Sequence, residues 1–200
     1  MIQGGDEECR RVGDVNDFID AVTGERLIRV LLGGGFVTRR SSRLLTLLGS
    51  CVAVCLFDPV ARVGGMNHFL LPEGNDRSPP PDDGRFGVDA LPWLVHSTLD
   101  LGAQRQRLQA KLFGGAGAMG TRNQVGNSNI DFARQYLEQH AIPVVAEDVG
   151  KKVSRQVRFD SASGRVFVRY VDSGDGQALL RREQAARAQA GAAAERLPET

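Results

Sequence analysis

LGSCVAVCLFDPVARVGGMNH, residues 48–68, has the pattern of a β-hairpin. Residues 52–57 are continuously apolar and include β-branched side chains, which favour a strand. The pair Asp58-Pro59 commonly opens a turn, and a second largely apolar run covers residues 63–71. The segment therefore predicts two antiparallel strands joined by a short turn.

The register of this hairpin decides whether Cys51 and His68 meet. If the turn occupies residues 58–61, Asp58 faces Ala61 and Cys51 faces His68, with their Cβ atoms about 5 Å apart. A slip of one residue would turn the two side chains to opposite faces of the sheet. The pairing of the thiol with the imidazole therefore depends on this register.

A thiol beside an imidazole is an arrangement used in nucleophilic catalysis, because the imidazole favours the reactive thiolate. Gly49-Ser50 supplies backbone amides close to Cys51, as an oxyanion requires. Thr46, on the strand that precedes this turn, is near enough to orient a ring nitrogen or a substrate. The alternative is that Cys51 is an inert core thiol and His68 a buried histidine with satisfied hydrogen bonds.

A metal site is a weaker candidate at the same place. Cys51 and Cys55 lie on one face of the predicted strand and could bind a metal ion together with His68. No fourth ligand is evident, and zinc sites usually lie on tight turns or helices. We therefore expect no metal and interpret Cys55 as a core residue.

A nucleotide site is a second weaker candidate. Residues 115–120 match the dinucleotide pattern G-x-G-x-x-G after a strand, and Glu147 ends the next apparent strand. In that motif the glycines open a helix, whereas here the polar segment 121–127 intervenes. We interpret the glycine-rich segment as a loop that approaches other backbone closely, and we expect no cofactor.

Composition limits the class of protein. With 200 residues and 42% hydrophobic content, the chain suits one globular domain. The net charge of +1 gives no global field for nucleic acid. No apolar run is long enough to span a bilayer, and the N-terminus lacks a signal-peptide pattern. We therefore expect a cytoplasmic location, where thiols stay reduced, and three cysteines, an odd count, do not predict a disulfide framework.

The remaining chain predicts a mixed α/β protein of the α+β type, a single-domain layered sandwich of mixed and antiparallel strands with two main helices. Residues 15–22 fit a short helix, and residues 72–85, with three consecutive prolines, fit a loop. Further strands are expected at residues 27–32, 36–38, 44–47, 110–113, 143–146, 153–160 and 165–171, and helices at 89–101 and 129–140.

Three parts of the chain are expected to differ in how well they are ordered. Residues 1–24 are predicted to be a partly flexible N-terminal extension. Residues 25–171 form the predicted domain. Residues 172–200 are rich in Ala and Arg and are expected to be a frayed helix or disordered, outside the core.

Four colinear blocks resemble the CheD family, the chemoreceptor glutamine deamidases of bacterial chemotaxis. Together they extend over about residues 27–171, and the block around Cys51 is the most specific. The blocks are LGSCVAVCLFDPVARVGGMNHFLLP (48–72), LGAQRQRLQAKLFGGAG (101–117), NSNIDFARQYLEQHAIPVVAEDVG (127–150) and RQVRFDSASGRVFVRYV (155–171).

The resemblance implies an α/β sandwich with a papain-like Cys-His pair. Cys51 would be the nucleophile, His68 the general base and acid, and Thr46 the third catalytic residue. The reaction implied is hydrolysis of glutamine side chains to glutamate on methyl-accepting chemotaxis receptors, through a thioester and without a cofactor. The candidate residues for substrate or oxyanion binding are Ser50, Gly114 and Gly115.

The resemblance also implies partners. Methyl-accepting chemotaxis receptors would be the substrate, and a CheC-type phosphatase would be a regulatory partner; neither nucleic acid nor direct membrane insertion is expected. Two alternatives stay open: a non-catalytic adaptor that binds receptors or CheC, and a broader thiol hydrolase such as a protease. Cys51→Ala separates the adaptor from the enzymes, because an adaptor would keep its effect without the thiol.

Overall fold

The structure is a computed structural model. It describes residues 8–21, 23–73, 84–117 and 124–171, together with Arg181, Glu183, Ala185 and Ala186 in the C-terminal segment. Most of the predicted proline-rich loop at 72–85, the end of the glycine-rich segment 115–120, and most of the predicted tail lie outside the described residues.

The described residues form eleven strands and two α-helices. The strands are β1 (Cys9–Val12), β2 (Val15–Ile19), β3 (Arg26–Val30), β4 (Gly35–Thr38), β5 (Arg43–Leu48), β6 (Val52–Asp58), β7 (Val63–Asn67), β8 (Gln109–Gly114), β9 (Val144–Val149), β10 (Arg155–Asp160) and β11 (Val166–Tyr170). The helices are α1 (Gly87–Asp100) and α2 (Gln124–Gln139), which correspond to the two predicted helices and begin earlier than expected.

The strands pair into two mixed sheets. The first has the order β1-β4-β7-β6-β8-β9, and the second has the order β11-β10-β5-β3-β2. Helix α1 contacts β4, β6 and β7, and α2 contacts β6, β8 and β9, so both helices cover the first sheet. The second sheet packs on the other face through a shared buried cluster. The predicted fold class, a layered α+β sandwich, is confirmed.

Strand β6 lies at the centre of these layers, which explains its continuously apolar sequence. Val52, Val54 and Leu56 belong to the buried cluster beneath the helices. Ala53 and Cys55 belong to the cluster between the two sheets. A strand that is buried on both faces has no solvent side for polar residues, so its sequence does not alternate.

The β6–β7 hairpin forms as predicted, but the predicted register is wrong by two residues. Asp58 pairs with Val63 rather than with Ala61. The turn is longer because the Asp58 carboxylate accepts the amide of Ala61, and because the Arg62 amide donates to the Asp58 carbonyl with Arg62 at a left-handed φ of 54°. Since side chains alternate with a period of two, a shift of two residues keeps every side chain on its predicted face.

The helix predicted at residues 15–22 is wrong. Cys9–Val12 and Val15–Ile19 are instead strands, joined through Gly13 at a φ of 60°. They pair with β4 and β3 as edges of the first and second sheets. Local propensity at an edge is weak, and pairing with an existing sheet overrides it. Part of the predicted N-terminal extension therefore extends both sheets.

Candidate active site

Thr46, Cys51 and His68 meet between the two sheets. Thr46 lies on β5 of the second sheet, Cys51 immediately precedes β6, and His68 immediately follows β7 of the first sheet. All three are buried, with exposed fractions of 1%, 0% and 4%. With the observed register Cys51 and His68 are diagonal rather than direct neighbours across the hairpin, on the face that looks toward β5.

The backbone of His68 is fixed by the chain before β4. Its amide donates to the Gly34 carbonyl at 2.9 Å, and its carbonyl accepts the Gly33 amide at 2.8 Å. These contacts hold His68 in an extended position at the edge of the hairpin. The backbone position of His68 is therefore fixed, and its imidazole extends from that position to Thr46.

The side-chain hydrogen bonds of His68 determine its tautomer. The Thr46 hydroxyl lies 2.7 Å from the Val30 carbonyl and 2.9 Å from Nδ1 of His68. A hydroxyl has one proton, and a carbonyl can only accept, so Thr46 donates to Val30 and accepts from Nδ1–H. Nε2 is then the unprotonated nitrogen, and it has no hydrogen-bond partner among the described residues.

Burial determines the charge of this imidazole. It lowers the pKa of His68 to about 4, although the nearby Glu183 carboxylate and the Val30 carbonyl act in the opposite direction. His68 is therefore neutral near pH 7, with a lone pair on a buried Nε2. A neutral imidazole with a lone pair can accept a proton from a neighbouring thiol.

Cys51 is held by its neighbours in the glycine-rich segment. The Gly115 amide donates to the Cys51 carbonyl at 2.8 Å, and a Cβ at Gly114 would lie 2.1 Å from that same oxygen. Gly114 and Gly115 have φ values of 110° and 67°, which favour glycine. The structure thus places both predicted substrate residues against the backbone of Cys51, where the Gly115 amide supports the Cys51 carbonyl.

Asn129, on α2, is a supporting residue that the sequence did not reveal. Its side-chain amide donates to the carbonyls of Ser50 and Leu70, at 3.1 Å and 2.9 Å, and it is fully buried. It therefore ties the turn before Cys51 to the chain after His68. The only signal in the sequence is a polar residue on the apolar face of an amphipathic helix.

Glu183 is a further residue at the site that the sequence does not reveal. Although it belongs to the predicted tail, it is only 3% exposed. Its carboxylate accepts the amide of Gly49 at 2.8 Å and both the amide and the hydroxyl of Ser50 at 2.7 Å. No local pattern marks it, because the contact joins residues 133 positions apart.

The cluster of possible metal ligands differs from the one considered from the sequence. Among the described residues, ligand atoms of Cys51, His68 and Glu183 all lie within 4.8 Å of one another, and Cys55 is not part of this group. Burial raises the pKa of the Cys55 thiol, as expected for an inert core cysteine. Both oxygens of Glu183 already accept hydrogen bonds from the turn at Gly49 and Ser50.

A cleft leads to this site from the surface of the second sheet. Its volume is about 610 Å³, and Thr46, His68 and Glu183 contribute to its wall. Arg29 and Gln156 also line it. A cleft of this size can accept a side chain of a protein substrate.

Among the described residues, no helix combines the length and the apolar character that a membrane span requires.

Comparison with known proteins identifies the family. The family described as "CheD chemotactic sensory transduction" matches residues 70–170. A protein of Vibrio vulnificus strain YJ016, named probable chemoreceptor glutamine deamidase CheD, is 39% identical over 84% of this chain and 82% of its own length. A protein of Stenotrophomonas maltophilia strain K279a with the same name is 41% identical over 89% of this chain and 90% of its own length.

A solved structure, that of hypothetical protein YfiH from Bacillus licheniformis, aligns with 56% of this chain and 49% of its own at a TM-score of 0.36 and 16% identity. This likeness is too low to support an argument. The two relatives and the matched family are of the family that the sequence blocks resemble. The chain belongs to the CheD family.

Proposed function

We propose that this chain is a protein-glutamine deamidase that acts on chemoreceptors through a Cys51 thiolate and a thioester. One observation carries the proposal: a buried neutral imidazole, with Nδ1 held by Thr46 and Nε2 without a partner among the described residues, lies beside the Cys51 thiol. The relatives named above carry the same activity in their names.

In the first half of the reaction, Nε2 of His68 takes the proton of the Cys51 thiol. The thiolate attacks the carboxamide carbon of a glutamine side chain, and negative charge develops on the carboxamide oxygen. The amide and the hydroxyl of Ser50 are suited to stabilise that charge, since both already donate to a single carboxylate oxygen, Oε2 of Glu183, at 2.7 Å, while the Gly49 amide donates to Oε1 at 2.8 Å. His68 then returns the proton to the nitrogen, and ammonia leaves.

In the second half, His68 takes a proton from water, and the resulting hydroxide attacks the thioester carbon. The carbon–sulfur bond breaks, the proton returns to Cys51, and glutamate is released. Thr46 acts through His68: it keeps the proton on Nδ1 so that Nε2 remains the base. Thr46 is therefore proposed as a positioning residue and not as a group that contacts the substrate.

The substrate is proposed from the names of the relatives and from the shape of the site. The reacting groups are buried, so the substrate must project a long side chain into the cleft, as a glutamine on an exposed helix can. The cytoplasmic helices of chemoreceptors are long coiled coils that present such side chains. A reduced thiol nucleophile is compatible with a cytoplasmic location.

The test uses the purified full-length chain and the cytoplasmic domain of a chemoreceptor from the same organism. Intact mass and ammonia release are followed for the wild type and for Cys51→Ala, with Cys55→Ala, four positions further along the chain, as a matched control. We expect a gain of about 1 Da per modified site together with ammonia, absent in Cys51→Ala and retained in Cys55→Ala.

Each other outcome has a definite meaning. Conversion that persists in Cys51→Ala would overturn the thiol mechanism. Binding without conversion by the wild type would favour the adaptor, which binds receptors or a CheC-type phosphatase without catalysis. Cleavage of the receptor backbone would favour a protease.

A further inference from the structure

We infer that Glu183 is a built-in product mimic: the chain inserts its own glutamate side chain into the glutamyl site beside Cys51 and thereby occludes it. This inference rests on the proposed function, because it takes the site to be one that binds the side chain of glutamine and releases glutamate. It adds an occupant from the same chain and identifies the donors that bind the carboxyl group of the product; those of Ser50 meet on one oxygen and could also receive the carboxamide oxygen of the substrate.

The hydrogen bonds of Glu183 are those that a reaction product would make. Oε1 accepts the amide of Gly49 at 2.8 Å, while Oε2 accepts the amide and the hydroxyl of Ser50 at 2.7 Å each. These donors belong to the turn that leads directly into Cys51. Donors arranged around a carboxylate at these distances form strong, charge-assisted hydrogen bonds.

Because the Glu183 side chain is buried, its carboxylate needs partners that compensate its charge. Glu183 is 3% exposed, and a buried carboxylate is costly unless its charge is compensated. No lysine or arginine among the described residues forms an ion pair with Glu183, so the turn at Gly49 and Ser50 supplies the compensation shown. The turn is therefore an anion-binding element, which an oxyanion site must also be.

The backbone around Glu183 resembles the proposed substrate as well. Arg181, Glu183, Ala185 and Ala186 are helical, and a receptor glutamine would also project from a helix. Glu183 and Ala186, three positions apart, share a helix face: Glu183 is buried and Ala186 packs against the cluster between the sheets. Arg181 and Ala185 are exposed. One helix face is thus docked over the site.

Occlusion follows from the distances. Ligand atoms of Glu183, Cys51 and His68 lie within 4.8 Å of one another, so the Glu183 carboxylate fills the space where a substrate carboxamide would react. A receptor glutamine can enter only when Glu183 leaves. Since the competing group is tethered to the same chain, its effective concentration is high and does not depend on protein concentration.

Glu183→Gln provides a direct test, because it converts the mimic into a tethered substrate. We expect the purified full-length variant to deamidate itself: Cys51 attacks the carboxamide introduced at position 183, ammonia leaves, and water hydrolyses the thioester to regenerate glutamate. Intact mass should rise by about 1 Da, a peptide map should place the change at position 183, and the rate should not change on dilution.

Two matched variants control this test. Glu183→Gln combined with Cys51→Ala should keep its introduced glutamine. Glu138→Gln, which places a glutamine at an exposed position of α2, should also keep it. Conversion at position 138 at the same rate, or conversion without Cys51, would overturn the inference.

A second readout does not depend on catalysis. In a Cys9→Ser background, which removes the partly exposed cysteine, iodoacetamide should alkylate Cys51 about tenfold faster in Glu183→Ala than in the parent, because the site is no longer occupied. Equal alkylation rates would overturn occlusion. Tight zinc binding that is lost in Glu183→Ala would identify a metal site and would also overturn it.

The two proposals fail in distinguishable ways. If receptor glutamines are converted but the Glu183→Gln variant does not convert itself and alkylation is unchanged, the product mimic is wrong and the deamidase stands. If alkylation accelerates in Glu183→Ala but neither the carboxamide introduced at position 183 nor any receptor glutamine is converted, the carboxylate covers Cys51 without mimicking a product and the deamidase proposal fails.

Discussion

The β6–β7 hairpin buries an ionisable side chain at each end, Asp58 at the turn and His68 at the open end, and the two have opposite surroundings. The Asp58 carboxylate accepts hydrogen bonds from the amides of Val60, Ala61 and Gln104 and from the Arg107 guanidinium. His68 has a side-chain partner on Nδ1 and none on Nε2 among the described residues.

The pKa values follow from this difference. Burial alone would raise the pKa of Asp58, but Arg107 and the surrounding amides outweigh it and hold that pKa well below its usual range. At His68 burial dominates and lowers the pKa to about 4. A buried charge whose hydrogen bonds are satisfied is costly to disturb, whereas a buried nitrogen without a partner is available for chemistry. Substitutions at each end of the hairpin test this difference.

The largest effect is expected at the open end. His68→Gln removes the base at roughly constant volume, so the deamidation rate should fall by about 10²–10⁴-fold while the free energy of unfolding at pH 7 changes by less than about 1 kcal/mol. Ammonia release and urea unfolding measure the two quantities. A rate close to that of the wild type would remove His68 from the mechanism.

At the turn end of the hairpin, a substitution should lower stability rather than activity. Asp58→Ala leaves the groups that bind a fully buried carboxylate without their partner, so the free energy of unfolding should fall by about 3 kcal/mol. The deamidation rate per folded molecule should be kept. Arg107→Ala should lower the free energy of unfolding by less, because the amides of Gln104, Ala61 and Val60 still donate to Asp58. A stable but inactive Asp58→Ala protein would contradict the division of roles between the two ends.

Substitutions of Thr46 test whether the tautomer of His68 affects the deamidation rate. Thr46→Val keeps the shape and removes the hydroxyl that accepts from Nδ1, so we expect a loss of roughly tenfold to a hundredfold in rate, from a misplaced imidazole. Thr46→Ser restores the hydroxyl and should recover most of the activity. If both variants are equally impaired, packing rather than the hydrogen bond explains the effect.

The buried imidazole should also make stability depend on pH. The native His68 pKa is about 4 and the unfolded value is near 6.5, so between these pH values the unfolded chain binds more protons and stability must fall as pH falls. The slope contributed approaches about 1.4 kcal/mol per pH unit. Unfolding curves from pH 6.5 to pH 4 should show it in the wild type, and His68→Gln should lose it.

Much of the fold could be predicted because burial leaves periodic patterns. Strand β6 is buried on both faces and is therefore apolar throughout, which made the hairpin and its Cys51 recognisable. The pairing of Cys51 with His68 survived a register error because the shift was even. The N-terminal strand at Val15–Ile19 was missed because an edge strand with exposed positions carries little hydrophobic pattern.

The parts of the site that were missed depend on contacts distant in sequence. Glu183 reaches Ser50 across 133 positions, and neither residue's neighbours indicate the other. Asn129 looks like an ordinary polar residue near the start of a helix, although it binds both sides of the site. The sequence predicts Gly114 and Gly115 as substrate or oxyanion residues, and only the three-dimensional structure reveals their contacts with the Cys51 backbone.

The most direct test of the central claim is to trap the thioester. The wild-type chain, Cys55→Ala and Cys51→Ala are incubated with the receptor cytoplasmic domain and hydroxylamine, and the modified glutamine is examined by mass spectrometry. A thioester on Cys51 predicts a hydroxamate, about 16 Da heavier than the glutamine, with the wild type and Cys55→Ala and none with Cys51→Ala. Glutamate formed without any hydroxamate, or hydroxamate formed by Cys51→Ala, would contradict covalent catalysis by Cys51.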